Sequence, residues 1–405
     1  EFSEDASRNF RLLQTLKENG ADITIQHQVD DINWQPFDYA VDGLIGTGLT
    51  SELRSPMDKL VDAINASGLP VYAMDIPTGL SCDTGDILGT CVRADHTITF
   101  GTNKVGFYIG NGPDVTGSVT MAELPFPDYL RNHSATLIDY QLAEEFDPLS
   151  RIASHKYEKG TVHIVAGSEG MTGAAIMASK SAWNAGAGAV ILYAPKGLLP
   201  VYEQALPEII KVPVGVAEDV HFTNKHILSI SEKIGEKPGV TLIGPGLGLA
   251  GTTRKCVEKL LETVDQPVIL DADGLSVWQD CADFDTSNWT LTPHPGELHK
   301  HLGIESSSDA ERIDRVRQFA SENGVRVLSK GHPTFLATPD GNTFITGYDT
   351  RLFARAGFGD VLAGTIAGKL AVSHKTDQSI TDALLSIYQT ASTIEDPQPG
   401  DIYDR

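Results

Sequence analysis

The stretch Leu352–Leu370, LFARAGFGDVLAGTIAGKL, joins a glycine-bracketed turn to an apolar helical pattern built from small residues. This pattern predicts that the backbone amides of Gly357–Asp360 become the unpaired N–H groups of a helix N-terminus, which is a general binding site for anions. Glycines in the turn would let the backbone approach a phosphate closely. An alternative stays open, because aspartate is a preferred N-cap and Asp360 could simply cap a buried helix.

The composition is that of a soluble globular protein. The chain has 405 residues, of which 41% are hydrophobic, and this length predicts two or three domains. The net charge of −23 argues against binding to nucleic acids or anionic membranes, so an anionic small ligand would need a local positive site. No apolar run is long enough to span a bilayer and no signal peptide is recognisable, so we expect a cytoplasmic protein. Scattered cysteines favour structural thiols over a zinc site: Cys82, Cys91, Cys256 and Cys281.

Short β-rich runs alternate with helical patterns along the whole chain, which indicates an α/β fold with parallel sheets. In the first part these runs are ADITIQ (21–26), DYAVDGLIG (38–46), LPVYAMDIP (69–77) and ADHTITFG (94–101). The alternation stops between about Pro125 and Ile152, a segment that suits a linker, and then restarts. We therefore predict two domains, at residues 1–145 and 150–405.

Strand candidates of the second domain end in glycine, proline, aspartate or histidine clusters. In open parallel sheets, ligands bind beyond the carboxyl ends of the strands, so these endings predict one common rim. VLSKGHPTFLATPDG (327–341) has the form of a strand, a turn and a second strand, in which Lys330 and Thr334 could hold phosphate oxygens. TPHPGELHKHLG (292–303) fixes His294 between two prolines. Taken singly, such a lysine is usually solvated and such a histidine is more often structural.

Three further turns belong to this predicted rim. VILDADGL (268–275) ends a strand in the carboxylates Asp271 and Asp273. VAGSEGMTGAAIMA (165–178) and LIGPGLG (242–248) are glycine-rich turns that let a flat or charged ligand approach the main chain. Each of these turns is a weak signal by itself.

The order of these motifs, from about residue 155 to the end, closely resembles that of the ADP/ATP-dependent NAD(P)H-hydrate dehydratases, which have a ribokinase-like α/β fold. The resemblance implies that Gly357 and Gly359 form an anion hole for a transferred phosphoryl group. It also implies that Asp360 takes a proton from the acceptor hydroxyl, which is consistent with how phosphoryl transfer is catalysed. That hydroxyl would be the one on the hydrated nicotinamide ring. Its phosphorylation and elimination would restore NADH or NADPH.

The same resemblance implies the ligand contacts of the second domain. ADP or ATP is the implied phosphoryl donor, with ADP favoured, and Mg²⁺ accompanies it. This sequence departs from the family at Phe358, where a small or flexible residue is usual, and at Arg355, where threonine is common. Contacts to the hydrated dinucleotide are implied for Ala174, Gly248, His294 and Asp360. Contacts to the adenine nucleotide are implied for Lys330, Gly331, His332, Pro333, Thr334 and Gly359.

The first domain has two aspartates at predicted strands. Asp42 lies inside the strand of AVDGLIGTG, where an ionised carboxylate needs a partner. Asp75 ends the strand of VYAMDIPTGL and is followed by Pro77, Thr78 and Gly79. Two carboxylates at neighbouring strand ends suggest a cation site or a proton-transfer site. The alternative is that Asp75 and Thr78 only cap a turn.

The motifs DGLIGTG, DIPTGL and ADHTITFGTNKVGF resemble the NAD(P)H-hydrate epimerase domain, which has a Rossmann-like parallel sheet and is often fused ahead of the dehydratase. The resemblance implies K⁺ ligands at Asp42 and Thr78, and an acid/base role for Asp75. The family's N-N-G-G-D-G loop has no counterpart here, so we expect an epimerase domain truncated at its start, with little epimerase activity. A homo-oligomer is also expected. The implied substrate site comprises Gly46, Thr47, Gly48, Leu49, Thr50, Ser51, Glu52 and Asp75.

Three functional interpretations remain at the level of sequence. The leading one is a bifunctional repair protein that acts on the hydrates NADHX and NADPHX. A ribokinase-like kinase of a small vitamin precursor or sugar is an alternative, because the G-x-G-D helix start serves both reactions. A non-catalytic nucleotide-binding protein is a third, and Phe358, Arg355 and the missing loop keep it open.

Overall fold

The structure is a computed structural model, and it describes residues 4–26, 32–125, 127, 133–140, 142, 160–281 and 283–403. The chain divides into two compact units. One comprises Glu1–Phe107 with Asn111–Pro125, and the other comprises Tyr108–Gly110 with Phe126–Arg405. Each unit contains a largely parallel sheet and helices, so the α/β class predicted from the sequence is confirmed.

The first unit is organised around four parallel strands in the order β1-β2-β3-β4. A small core forms where Val61 and Ile64 of a helix pack near Val71 of the sheet. The strands are β1 Ala40–Asp42, β2 Val71–Met74, β3 His96–Phe100 and β4 Ser118–Ala122. The helices are α1 Glu4–Glu18, α2 Met57–Ala66 and α3 Gly112–Val115.

One predicted strand of this unit is wrong. Residues 21–26, ADITIQ, alternate in the manner of a strand but have no strand conformation. They are exposed or only half-buried, and they join neither edge of the described four-stranded sheet. Alternation supplies strand propensity, but a strand is stabilised by its neighbour and by a buried face, and this segment has neither.

The second unit has a ten-stranded sheet in the order β5-β14-β13-β12-β11-β10-β9-β6-β7-β8. Only β13 runs antiparallel to its neighbours in this described sheet. Its strands are β5 Thr136–Ile138, β6 Thr161–Val165, β7 Ala189–Pro195, β8 Ile210–Val214, β9 Val240–Ile243, β10 Val268–Leu270, β11 Trp289–Leu291, β12 Arg326–Ser329, β13 Phe335–Ala337 and β14 Thr343–Thr346.

Helices of the described residues surround this sheet. Within them, no helix is both long and apolar enough to cross a membrane. All four cysteines are free and three of them are buried, in agreement with the structural role predicted for them. The helices are α4 Thr172–Asn184, α5 Leu199–Ala205, α6 Ile227–Glu236, α7 Gly251–Leu261, α8 Pro295–Leu302, α9 Asp309–Glu322, α10 Phe358–Ser373, α11 Thr376–Ala391 and α12 Pro399–Tyr403.

Part of the predicted linker belongs to the second sheet. Strand β5 pairs in parallel with β14, with Leu137 opposite Ile345, and Ile138 is buried in the core of the second unit. The linker interpretation is therefore wrong for Thr136–Ile138. A three-residue edge strand has too short a pattern to be recognised in sequence, because its register is set by the neighbouring strand.

The helix of the opening stretch, α10, lies at the centre of the second unit. Its small residues bring its backbone against that of α4. A β-carbon added at Gly364 would lie 2.2 Å from the carbonyl oxygen of Ala178, and one added at Gly368 would lie 2.4 Å from that of Ala182. Only glycine permits this approach. The contact fixes where the N-terminus of α10 stands relative to the turn that precedes α4.

We predict that Gly364→Ala destabilises the protein by about 1–3 kcal/mol, because the new methyl group must push α10 away from α4. Gly235→Ala is the matched control, since a β-carbon there meets no atom within 4 Å. It should leave stability unchanged or raise it by up to about 1 kcal/mol. Urea unfolding followed by circular dichroism measures both variants. Equal midpoints for the two would contradict the close packing described here.

Candidate functional site

The N-terminus of α10 has the geometry predicted for an anion site. The helix begins at Phe358, and its N-cap Gly357 has φ +97°, a left-handed conformation that favours glycine. A β-carbon at Gly357 would also lie 2.8 Å from Met177 Sδ, so the methionine side chain would have to shift. The amides of the first helical turn have no partner within the helix. The amide of Phe358 donates to the carbonyl oxygen of Arg355 at 3.3 Å, so among the described contacts the amides of Gly359 and Asp360 are the ones available to an anion.

The two departures from the family pattern have structural explanations. Phe358 is only 3% exposed and packs in the core against Phe353, with ring centroids 5.5 Å apart. Its large side chain is therefore accommodated by the fold. Arg355 pairs with Asp396, at 2.7 Å between Nη2 and Oδ1, and so links the turn before α10 to the segment before α12.

Lys330 is a fixed cation beneath the α10 turn. Its Nζ lies 2.7 Å from Oδ1 of Asp271, and a β-carbon added at Gly359 would be 3.4 Å from the same Nζ. Burial alone would lower the pKa of Lys330. The carboxylates of Asp271 and Glu297 outweigh burial and raise that pKa above its ordinary value. Lys330 is therefore charged at neutral pH.

Asp360 is the carboxylate with the strongest perturbation at this site. Its side chain makes no hydrogen bond or ion pair with any residue that the structure describes. Burial raises the pKa of Asp360 to about 7, the charge of Asp271 adds to this effect, and Lys330 opposes it. A carboxylate that is half-protonated near neutral pH and has no partner is suited to accept a proton.

A cavity of about 450 Å³ lies next to this turn. Its lining combines cationic groups, among them Lys330 and Arg351, with the apolar side chains of Phe353, Leu384 and Ile387. A nucleotide has phosphates and a flat base, and this lining offers partners for both. Of the residues predicted from the sequence, the cavity is bordered by His294, Lys330, Gly331, His332, Thr334 and Gly359. Pro333, Ala174, Gly248 and Asp360 are not among its described lining residues.

Arg312 holds the predicted nucleotide turn from inside, and the sequence analysis missed it. This guanidinium is 5% exposed and donates to the carbonyl oxygens of Lys330, at 3.3 Å, and Pro333, at 2.9 Å. A signal for it exists in the sequence. Arg312, Val316 and Ala320 are spaced four residues apart and lie on the buried face of α9. A charged residue on such a face needs an internal partner.

The turns after β6, β9 and β10 meet, as the rim hypothesis predicts. The amide of Gly248 donates to Oδ2 of Asp273 at 2.8 Å, and Ser168 Oγ donates to the carbonyl oxygen of Gly246 at 2.8 Å. A β-carbon at Gly246 would lie 3.0 Å from that of Ala174. Ala174 and Gly248 therefore belong to one cluster of turns. The negative charge of Asp273 contributes to the raised pKa of Asp360, so this cluster acts electrostatically on Asp360.

His294 has the structural role that the sequence left open. It is the N-cap of α8, and its Nδ1 accepts from the amides of Gly296 and Glu297 at 3.0 and 3.3 Å. The Glu297 carboxylate accepts from the amide of His294 at 2.8 Å, which completes a capping box. His294 also borders the cavity, so its predicted contact with the substrate stays a prediction.

Asp42 and Thr78 of the first unit are brought together. The Asp42 carboxylate accepts from the amide and the hydroxyl of Thr78, both at 2.7 Å, and both residues are buried. Ile45 donates its amide to Thr78 Oγ1 at 3.1 Å, so the exposed loop 46–52 begins beside this pair. No lysine or arginine of the described residues pairs with Asp42. A fully buried carboxylate without a cationic partner suits a bound cation.

Asp75 is an ion-paired carboxylate at the end of β2. Lys104 Nζ lies 2.5 Å from its Oδ1, and Thr99 Oγ1 and the amide of Phe100 also donate to it. Burial favours the protonated form, but these donors outweigh burial and lower the pKa of Asp75. The residue is therefore ionised at neutral pH and can act as a base. Sequence analysis missed Lys104, because the pairing spans 29 positions.

Family models match the sequence of both parts of the chain. A family model described as NAD(P)H-hydrate dehydratase matches residues 162–399. A second model, described as YjeF-related protein N-terminus, matches residues 1–106.

Curated relatives match across both units. The bifunctional NAD(P)H-hydrate repair enzyme Nnr of Salinibacter ruber is 35% identical over 392 residues, which are 92% of this chain and 72% of the relative. The enzyme of the same name from Thermofilum pendens is 35% identical over 338 residues, which are 82% of this chain and 64% of the relative.

Solved structures share the fold of the second unit. The ADP/ATP-dependent NAD(P)H-hydrate dehydratase of Bacillus subtilis, co-crystallised with ATP and Mg²⁺, superposes with a TM-score of 0.55 at 24% identity. The match covers 67% of this chain and 97% of that one. A ribokinase-like superfamily protein of Enterococcus faecalis gives a TM-score of 0.58 at 23% identity, covering 68% of this chain and 95% of the other. The ribokinase-like fold predicted from the sequence is confirmed.

We predict that Asp360 titrates near pH 7 and Asp75 below the ordinary range of aspartates. Carboxyl ¹³C NMR across pH 3–9 measures both values, and Asp360→Asn and Asp75→Asn identify the two resonances. The difference arises because burial beside Asp271 raises the first pKa, whereas Lys104 lowers the second. A midpoint below pH 5 for Asp360 would contradict the electrostatics described for this site.

Proposed function

Since the chain belongs to the family of bifunctional NAD(P)H-hydrate repair enzymes, we propose that its second unit dehydrates NADHX and NADPHX with consumption of ADP or ATP. One observation carries the proposal. Asp360 presents an unpartnered carboxylate at the N-terminus of α10, and the fixed cation Lys330 lies under the same turn. A base next to an anion site is the arrangement that phosphoryl transfer to a hydroxyl requires.

The proposed reaction has two steps. Asp360 takes the proton of the ring hydroxyl while the hydroxyl oxygen attacks the terminal phosphorus of the nucleotide. The phosphoanhydride bond breaks, and the shortened nucleotide leaves with the electron pair of that bond. The ring carbon–oxygen bond of the resulting phosphate ester then breaks, and the phosphate group leaves with its electron pair as inorganic phosphate. The neighbouring ring carbon loses a proton, and the electron pair of that C–H bond restores the double bond of NADH or NADPH. Lys330 and the α10 amides stabilise the charge of the transferred group. The net change is loss of water from the hydrate and hydrolysis of one phosphoanhydride bond.

The nucleotide is proposed to bind along the Lys330–Thr334 turn and Gly359. The turn carries Lys330 and Thr334 on a backbone whose carbonyls are held from inside, so few groups must be ordered when the nucleotide binds. Mg²⁺ would neutralise phosphate oxygens. The described residues contain no cluster of three histidine, cysteine or acidic side chains that could hold a metal. The ion would therefore be held chiefly by the phosphates and water, which is usual for Mg²⁺.

The first unit is proposed to interconvert the R and S hydrates, with Asp75 as the base and loop 46–52 as part of the substrate site. The lowered pKa keeps Asp75 ionised at neutral pH, and its ion pair with Lys104 makes it a weaker base than Asp360. Asp42 and Thr78 are proposed to bind K⁺. Their oxygens are hard ligands of the kind alkali cations prefer, and the buried charge of Asp42 has no other cationic partner among the described residues.

For the dehydratase, we predict that the chain restores the absorbance of reduced nicotinamide when incubated with hydrated NADH and ADP or ATP. The rate should rise with pH through about 7, because Asp360 must lose its proton to act as a base. Asp360→Asn should lower kcat by roughly 10²–10⁴-fold, with nucleotide binding nearly unchanged. Asp265→Asn, an exposed aspartate before β10, is the control and should retain the wild-type rate. No recovery with either nucleotide, by folded protein, would reject the proposal.

For the epimerase, we predict that Asp75→Asn lowers R-to-S conversion at least about tenfold, since the amide cannot accept the proton. The assay uses pure R hydrate at high protein concentration and chromatographic separation of the two epimers. Asp86→Asn removes an exposed carboxylate of the same unit and should leave the rate unchanged. Equal rates for the two variants would remove Asp75 from the proposed site.

A further inference from the structure

The opposite charges of the dehydratase site do not pair with each other. Lys330 is close enough to Asp360 for its positive charge to lower the pKa of that carboxylate. Nevertheless, the Lys330 ammonium hydrogen-bonds to Asp271, and the Asp360 side chain has no hydrogen-bonding partner among the described residues. A lysine side chain is long and flexible, so something must hold this ammonium away from Asp360.

Asp271 is itself held rigidly. It is 1% exposed, and its Oδ1 accepts both from Lys330 Nζ at 2.7 Å and from Thr292 Oγ1 at 2.6 Å. These three residues directly follow the neighbouring parallel strands β10, β11 and β12. The sheet fixes their relative heights, with Leu270 opposite Leu291 and Leu291 opposite Val327. The position of the Asp271 carboxylate is thus set by the sheet.

We propose that Asp271 is a positioning residue of the dehydratase site: it holds the Lys330 ammonium beneath the Gly357–Asp360 turn and prevents it from forming an ion pair with Asp360. One cation and one base are thereby kept available for two different reacting groups. The inference rests on the proposed function, because it assigns the phosphoryl group to Lys330 and the hydroxyl proton to Asp360.

The hydrogen-bonding capacity of lysine makes this arrangement workable. An ammonium has three donors, so Lys330 can bond to Asp271 and still direct two N–H groups at phosphate oxygens. Asp360, in contrast, must stay free of an ion pair to act as a base. An ion pair with lysine would stabilise its ionised form and make it a weaker base, and would also occupy the oxygen that must accept the proton.

The charged groups that act on Asp360 allow a directional prediction. These groups are Asp271 and Asp273, which raise its pKa, and Lys330, which lowers it. Asp271→Asn removes one raising charge and also releases Lys330, so both effects lower the pKa of Asp360. Asparagine has nearly the same shape and can still accept a hydrogen bond from Thr292, so the change is chiefly one of charge.

The test compares wild type, Asp271→Asn and the control Asp265→Asn, which removes an exposed aspartate at the opposite end of β10. Carboxyl ¹³C NMR gives the titration midpoint of Asp360, and the rate is measured against pH. In Asp271→Asn, the titration midpoint of Asp360 and the midpoint of the pH–rate profile should each fall by about one pH unit or more. The KM for the nucleotide should rise several-fold. Asp265→Asn should match the wild type. An unchanged Asp360 midpoint in folded Asp271→Asn would overturn the inference.

Lys330→Met gives a second, independent readout with the opposite sign. Removing the ammonium takes away the positive charge that lowers the pKa of Asp360, so the titration midpoint of Asp360 should rise. A lowered or unchanged midpoint would contradict the arrangement even if Asp271→Asn fails to fold. The NMR titration needs no turnover. A wild-type chain that restores no reduced nicotinamide would therefore reject the proposed function, whereas the NMR midpoints alone would decide whether Asp271 separates the two charges.

Discussion

The direct backbone contact between α10 and α4 is the constraint on which the second unit depends. Gly364 and Gly368 bring the two helix axes close, and this places the first turn of α10 at the carboxyl ends of the central strands. The amides of that turn, Lys330 and Asp360 thus lie together because two helices pack without intervening side chains. A helix of larger residues could present the same Gly-x-Gly-Asp turn, but not at this distance from the sheet.

Sequence patterns predicted the parts of the site that are local in the chain. The Gly357–Asp360 helix start, the glycine-rich turns after strands and the common rim all follow from short-range rules about glycine, proline and parallel sheets. Strand β5 and the false strand at 21–26 were missed or misread because a strand depends on a neighbour that is distant in sequence. The sequence could not reveal the pairing of Asp75 with Lys104 or the donation from Arg312 to the Lys330–Thr334 turn. Those contacts exist only after folding.

Electrostatics assigns different behaviour to carboxylates that look alike in the sequence. Asp75 and Asp360 each lie next to a glycine- or proline-containing turn, yet donors lower the pKa of the first and burial raises that of the second. Asp271 belongs to neither case, because it neutralises a buried lysine. The strongly acidic chain therefore contains a local cationic site whose charges are kept apart by the sheet. In the proposed mechanism, this separation would let Asp360 act as a base next to Lys330 as the phosphate-binding group.

The central claim is that dehydration is coupled to phosphoryl transfer at the N-terminus of α10. The most direct measurement is the stoichiometry of the reaction, followed by ³¹P NMR together with the absorbance of reduced nicotinamide. The account predicts that one nucleotide is cleaved and one inorganic phosphate is released for each NADH or NADPH restored. Restoration without nucleotide cleavage, or accumulation of a stable phosphorylated product, would contradict it.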